Sequence, residues 1–189
     1  IIDHAGATEI GPWGFGWPTV PGLHIIESSF IAELLPVASS SGDSPLCELV
    51  LTSLGRYGAP LIRYRTGDVV YSRSPPANCN FMWLPEGVVG RADDMVIIRG
   101  VNVFPSSIDD IVRRIPGIGE YRVRVDREGA LDRLEIEIEA ATDNQQAQLE
   151  KLLSTRLGLR IVVHRVPQES LQRSEHKARR WIDERFPEV

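Results

Sequence analysis

The sequence predicts an α+β fold in two successive parts, and three observations carry that expectation. Residues 1–93 hold short apolar, β-branched runs separated by glycine- and proline-rich turn signals, as a sheet-forming segment does. Residues 94–189 hold two stretches in which apolar side chains recur at helical spacing. Beside those stretches lie runs of alternating apolar and polar residues, the pattern of half-buried strands.

Taken in order, HAGATE (4–9) combines small flexible residues with a threonine and a glutamate, and reads as a loop built to grip a ligand. LHIIES (23–28) and FIAELLPV (30–37) are strands, SSSGDSP (39–45) a turn, and CELVLTSL (47–54) the strand that completes a hairpin. PLIRYRTGDVVYSR (60–73) reads as a strand pair around RTGD, and SPPANC (74–79) as a proline-rich turn. MVIIRG (95–100) is an apolar strand ending at glycine. Pro105 then opens a helix with Ile108, Ile111, Val112 and Ile115 on one face, and PGIG (116–119) stops it. YRVRVD (121–126) and LDRLEIEIEA (131–140) alternate around a REGA turn. Thr142 or Asp143 caps a helix that runs to about Arg156, with Leu149, Leu152 and Leu153 on one side, and LRIVVHRV (159–166) is a last strand. The order strand, helix, strand, strand, helix, strand over residues 94–189 is that of a small ferredoxin-like domain, the split β-α-β repeat.

Bulk properties narrow the function. An apolar fraction of 42% and a charged fraction of 25% are those of a soluble globular protein. The net charge is −5, with nine acidic and five basic residues in 1–93 and seventeen against sixteen in 94–189, so a nucleic-acid partner has no global electrostatic support. No apolar run is long enough to span a membrane, and two cysteines, Cys47 and Cys79, make no disulfide framework, which sets a reducing cytoplasm as the default. Arg173, Lys177, Arg179, Arg180 and Arg185 crowd the tail, either as a solvated face or as an anion site.

RTGD, GRADD (90–94) and SEHKARR (174–180) taken singly are a turn, a charge cluster and a basic patch. In series the pattern is far more specific. HAGATEIG, RYRTGD, GRADDMVIIRGVNVFPSSIDD and LQRSEHKARRWID follow the order and spacing of the carboxyl-terminal half of the adenylate-forming acyl-CoA ligase superfamily. The branch that the chain most resembles is that of the phenylacetate-CoA ligases, and the resemblance covers essentially its whole length.

That resemblance implies that residues 1–93 are the C-terminal, β-rich part of a large adenylation domain and residues 94–189 a small mobile C-terminal domain. It implies a ligase that uses ATP and Mg²⁺ to activate an aromatic carboxylic acid as its acyl-adenylate and then transfers the acyl group to coenzyme A. Thr8 matches the hydroxyl that contacts phosphate or the reacting carboxylate, and Glu9 the carboxylate that helps to hold Mg²⁺, a cation suited to oxygen ligands. Asp68 matches the acceptor of the ribose hydroxyls, Arg91 a nucleotide-contacting arginine, and Asp93 the hinge. Gly100 and Val101 match the loop brought towards the pantetheine arm. Lys177 matches the lysine that bridges the carboxylate and the α-phosphate during adenylation, where a fixed positive charge offsets charge that develops in the transition state.

Three departures from the family pattern stand out. Ala5 stands where the family has an aromatic residue stacked on adenine, with His4 beside it as a replacement or a simple turn histidine. His176 replaces the glycine before the catalytic lysine. His24 and Cys79 are too few for a four-ligand zinc site, so Cys79 is read as a small buried hydrophobe. The family's phosphate loop and most of its acyl pocket belong to an N-terminal portion that this sequence does not contain, whether on the same or a separate chain. The fragment alone is therefore expected to be inactive, and to self-associate through the surface so exposed. Two alternatives stay open: a truncated, non-catalytic homologue that binds a nucleotide or a partner, and loading of an aryl acid onto a carrier protein's phosphopantetheine.

Overall fold

The computed structural model describes residues 2–37, 45–77, 79–129, 131–140, 142–173 and 180–185. The chain divides into two compact units, Ile1–Met95 and Val96–Val189. Among the described residues strands dominate both, with two helices in the second, so the class is mixed α+β.

In the first unit, glycine and proline break the chain into short strands: β1 (His4–Ala7), β2 (Gly11–Trp17), β3 (Val20–Ile25), β4 (Phe30–Pro36), β5 (Cys47–Ser53), β6 (Tyr64–Val70), β7 (Trp83–Leu84) and β8 (Val88–Arg91). They form two antiparallel sheets, β1-β2-β3-β7 and β4-β5-β6-β8. Trp13, Leu23 and Ile25 of the first sheet and Phe30, Leu49, Leu51 and Val70 of the second bury into one shared core. Strand β5 is buried on both faces, and its one charge there, Glu48, is held by the Arg65 guanidinium on β6.

Two expectations are corrected here. HAGATE is not a loop throughout: His4–Ala7 pairs with β2, and only residues 8–10 turn. RTGD does not separate two strands but lies within β6. The register against β5 shifts between Glu48 and Val50, opposite Arg65 to Val69, so the extra residues are taken up as a bulge. Gly67, at φ 76°, occupies the positive-φ position of that bulge. The buried Thr66 hydroxyl fastens it, donating to Leu49 O (2.9 Å) and accepting from Asp68 N–H (3.0 Å).

The second unit contains β9 (Val96–Ile98), β10 (Val101–Val103), α1 (Pro105–Arg113), β11 (Tyr121–Glu128), β12 (Leu131–Glu139), α2 (Asp143–Leu157), β13 (Val162–Val166) and β14 (Trp181–Asp183). Alternation works as expected: Tyr121, Val123 and Val125 of β11 and Leu134, Ile136 and Ile138 of β12 face the core. Ile108, Ile111 and Val112 of α1 and Leu149 and Leu153 of α2 pack in the same cluster. The intervening arginines and carboxylates pair along the sheet, Arg122 with Glu137 and Arg133 with Asp126 among them. Thr142 caps α2 in a reciprocal box with Gln145, and Gly158, left-handed at φ 67°, ends it.

The sheet order is β13-β12-β11-β14, which differs from the ferredoxin-like arrangement. A split β-α-β repeat needs a strand between the two that a helix joins, whereas β12 and β13 are direct parallel neighbours. The strand expected at 95–100 stays outside this sheet. It folds back on β10 through a two-residue turn at Arg99 (φ 50°) and Gly100 (φ 81°), with Ile98 opposite Val101. Positive φ at both central residues is the geometry that matches the twist of a hairpin. The edge of β11 is filled instead by β14, parallel to it.

Candidate functional site

An open groove of about 770 Å³ in the first unit is lined by the β1–β2 hairpin, including His4, Ala5, Thr8 and Trp13, and by Asp68 of β6. The hairpin is tight because of Gly6. A Cβ there would meet Gly11 O and Pro12 Cα at 3.0 Å, so the strands close up only without a side chain. The lining stops at Thr8 on this turn. Glu9 is exposed, and its backbone carbonyl accepts from the Arg56 guanidinium.

Asp68 lies directly opposite Arg91 on β8. Arg91 Nη1 stands 3.6 Å from Asp68 Oδ1 and donates to Thr66 O at 3.2 Å. Its other edge clasps Asp93, Nε to Oδ1 at 3.0 Å and Nη2 to Oδ2 at 3.3 Å. The guanidinium passes so close over Gly67 that a Cβ would meet Nη2 at 2.5 Å. RTGD and GRADD, separate in sequence, are thus one cross-strand unit. Burial pushes the Asp68 carboxyl above the usual carboxylate range; Arg91 pulls it down and Asp93 pushes it further up. The hydrogen bond from Arg91 holds Asp93 below that range.

The structure brings Thr8, Asp68 and Arg91 together in the first unit, with Asp93 attached through Arg91. Gly100 and Val101 form the tip and second strand of the β9–β10 hairpin in the second unit, which Arg99 fastens by donating to Asp132 O at 3.1 Å. Lys177 and His176 lie outside the described residues. Sequence reasoning missed Trp13, which lines the groove although it is only 1% exposed, and the bulge-fastening Thr66. The ring in GPWGFGW was the available signal for Trp13, obscured by the glycines around it.

His24 is fully buried, its ring 5.5 Å from that of Phe15 and 6.0 Å from that of Trp17, and Cys79 is a buried free thiol. Among the described residues no three His, Cys, Asp or Glu side chains are grouped to hold a metal ion, and no helix is long and apolar enough to cross a membrane.

Residues 100–185 match the family described as the AMP-binding enzyme C-terminal domain. The chain is 36% identical to the phenylacetate-coenzyme A ligase of Pseudomonas putida, over 98% of this chain and 45% of that protein. It is 33% identical to that of Escherichia coli K12, over 87% of this chain and 40% of that protein. Among solved structures, a 2-hydroxyisobutyryl-CoA ligase in the postadenylation state, in complex with R3-HIB-AMP, superposes with a TM-score of 0.76 at 29% identity, over 97% of this chain and 43% of that one. The chain thus spans less than half the length of these relatives.

Proposed function

This chain belongs to the phenylacetate-CoA ligase-like family of adenylate-forming enzymes, and on that premise we propose that it is the C-terminal portion of an ATP-dependent acid–thiol ligase. The reaction joins a carboxylic acid to the α-phosphate of ATP, releasing pyrophosphate, and passes the acyl group to the thiol of coenzyme A. The observation that carries this reading is the groove, where residues distant in sequence, Thr8 and Asp68, line one cleft and Arg91 reaches Asp68 across the sheet. The acid is aromatic on this reading, in keeping with the phenylacetate ligases among its relatives.

Each side chain has a task that its surroundings suit. Asp68, acceptor-only when ionised and set at the groove wall, takes the two ribose hydroxyls. Arg91 holds Asp68 in place and is itself oriented by Asp93, the hinge residue close to the boundary between the compact units. Thr8 offers its hydroxyl to phosphate or to the reacting carboxylate. The exposed His4 ring supplies adenine contact that the Ala5 methyl cannot. Glu9 is an exposed carboxylate on the turn between β1 and β2, a hard oxygen ligand of the kind that suits Mg²⁺, an ion that keeps its waters and takes phosphate oxygens as well. When bound, the ion neutralises phosphate charge. At the hairpin tip, Gly100 has open space on its Cβ side, suited to the approach of a pantetheine arm.

Lys177 offsets the charge that builds as one anion attacks another. Lys177→Ala in the complete ligase is expected to abolish ATP–pyrophosphate exchange with aromatic acids while sparing thioester formation from supplied adenylate. Equal loss in both half-reactions overturns the assignment, and no exchange with any acid by the folded parent protein overturns the ligase reading itself.

A further inference from the structure

Two kinds of contact hold the β9–β10 hairpin. Val96 and Ile98 on one strand and Val101 and Val103 on the other pack against the core of the second unit, where Ile98 and Val103 are buried. The strands pair at three positions, too few for a hairpin to keep its shape in water by itself. Apolar burial is non-directional: it lays the hairpin on the core but does not fix where the tip stops.

Directional bonds set the tip, and they converge on Asp132, at the turn end of the β11–β12 pair. Its main-chain carbonyl accepts from Arg99 Nε at 3.1 Å. Its carboxylate accepts from Arg127 Nε at 3.0 Å and from Arg185 Nη1 at 2.8 Å. Arg185 Nη1 also donates to Ile97 O on β9 at 3.3 Å, while its Nε and Nη2 grip Asp183 of β14 at 2.9 and 2.6 Å. The hydrogen bond from Arg127, joined by that from Arg185, holds the Asp132 carboxyl below the usual range against the opposing effect of desolvation.

Two features set this apart from a surface ion-pair network. The Arg185 side chain is only 10% exposed, and its two carboxylates would fasten it to the sheet without the hairpin. The further bond to Ile97 O draws the hairpin in. Arg99, in turn, holds φ at 50°, a region that residues with side chains seldom adopt. Glycine would make that turn with less strain but could not reach Asp132. Beyond the tethered residues 97 and 99, Gly100 has nothing within 4 Å of where a Cβ would stand. We propose that Asp132, Arg185 and Arg99 are positioning residues for acyl transfer, a tether that fixes the hairpin tip at Gly100 and Val101 on the second unit so that it can guide the thiol-bearing arm. The inference rests on the reading of that hairpin as the pantetheine-facing loop.

The test separates the half-reactions in the complete ligase, using Asp132→Asn, Arg185→Gln and Arg99→Gly. Asp132→Asn keeps the main-chain carbonyl for Arg99 and so isolates the carboxylate arm, while Arg99→Gly cuts the other arm and keeps the positive-φ turn. Each variant is expected to lose on the order of 10- to 100-fold in kcat of thioester formation from supplied adenylate and coenzyme A, the scale of a small misplacement beside reacting groups. ATP–pyrophosphate exchange stays within about twofold, as for a contact that matters in the second half-reaction alone. Arg185→Lys, which keeps the charge without the planar fork, returns part of the rate. Equal loss in both half-reactions, loss that follows the melting temperature, or unchanged thioester formation overturns the tether. Gly100→Leu is the reference: if it leaves thioester formation intact, the reading of the hairpin falls and the tether with it. If it abolishes thioester formation while the tether variants keep the parent rate, the tether alone falls.

Discussion

At Asp68, stability and the proposed ribose contact pull in opposite directions. Its carboxyl is held above the usual range, chiefly by burial, so folding favours its neutral form even with Arg91 beside it. Between the ordinary aspartate value of about 3.9 and the raised native value, the folded chain binds more protons than the unfolded one, and stability falls as pH rises through that window. Above the window the cost is fully present; below about pH 3.9 it is absent. Asp68→Asn removes the charge and keeps the shape. Calorimetry at neutral pH is expected to give a melting temperature at or above that of the parent chain, with the advantage vanishing on acidification, while titration with AMP shows weakened binding. A lower melting temperature at neutral pH would mean that Arg91 outweighs burial. The Asp68–Arg91 pairing itself was hidden in the sequence, because which residue of β6 meets which of β8 depends on a bulge whose glycine looks like a turn glycine.

Among elements, those with a sustained period were legible. Ile108, Ile111, Val112 and Ile115 are all buried, as their spacing requires, and β11 and β12 put their alternate residues into one core. Helix α2 shows its ends as well as its face, since Thr142 and Gln145 cap it reciprocally. Thr142→Ala is expected to cost about 1 kcal/mol, measured by urea unfolding, and to leave the slope of the transition unchanged. A cost indistinguishable from zero would show that packing on Leu149 and Leu153 alone sets the helix. Strands β1 and β2 escaped notice because HAGA and GPWGFGW are too rich in small residues to alternate, and β14 because three residues carry no period. The wrong partner for residues 96–98 has another cause: a run of apolar residues marks a strand but not its neighbour, and the positive φ of Arg99 and Gly100 turned it back on β10.

At the scale of the whole molecule, the two units differ in how well each buries its own apolar surface. Among the described residues the second unit's core gathers eighteen buried side chains and the first unit's nine. The first unit also leaves Tyr57 93% and Ile62 74% exposed. Limited proteolysis of the isolated chain is therefore expected to degrade residues 1–95 first and leave a fragment beginning near Val96, identified by mass; survival of the first unit instead would contradict this. The topology of the second unit bears on biosynthesis as well. A nascent chain that has emerged as far as Val166 already has β11, β12, α2 and β13, but β11 still offers a bare row of backbone groups, the same N–H of Val123 that later takes Arg180. Until Trp181–Asp183 leaves the ribosome, that row is open to any passing strand. Premature termination in the last segment would thus yield a folded-looking core with an adhesive flank, and polysome crowding would set how often it is captured before its own strand arrives.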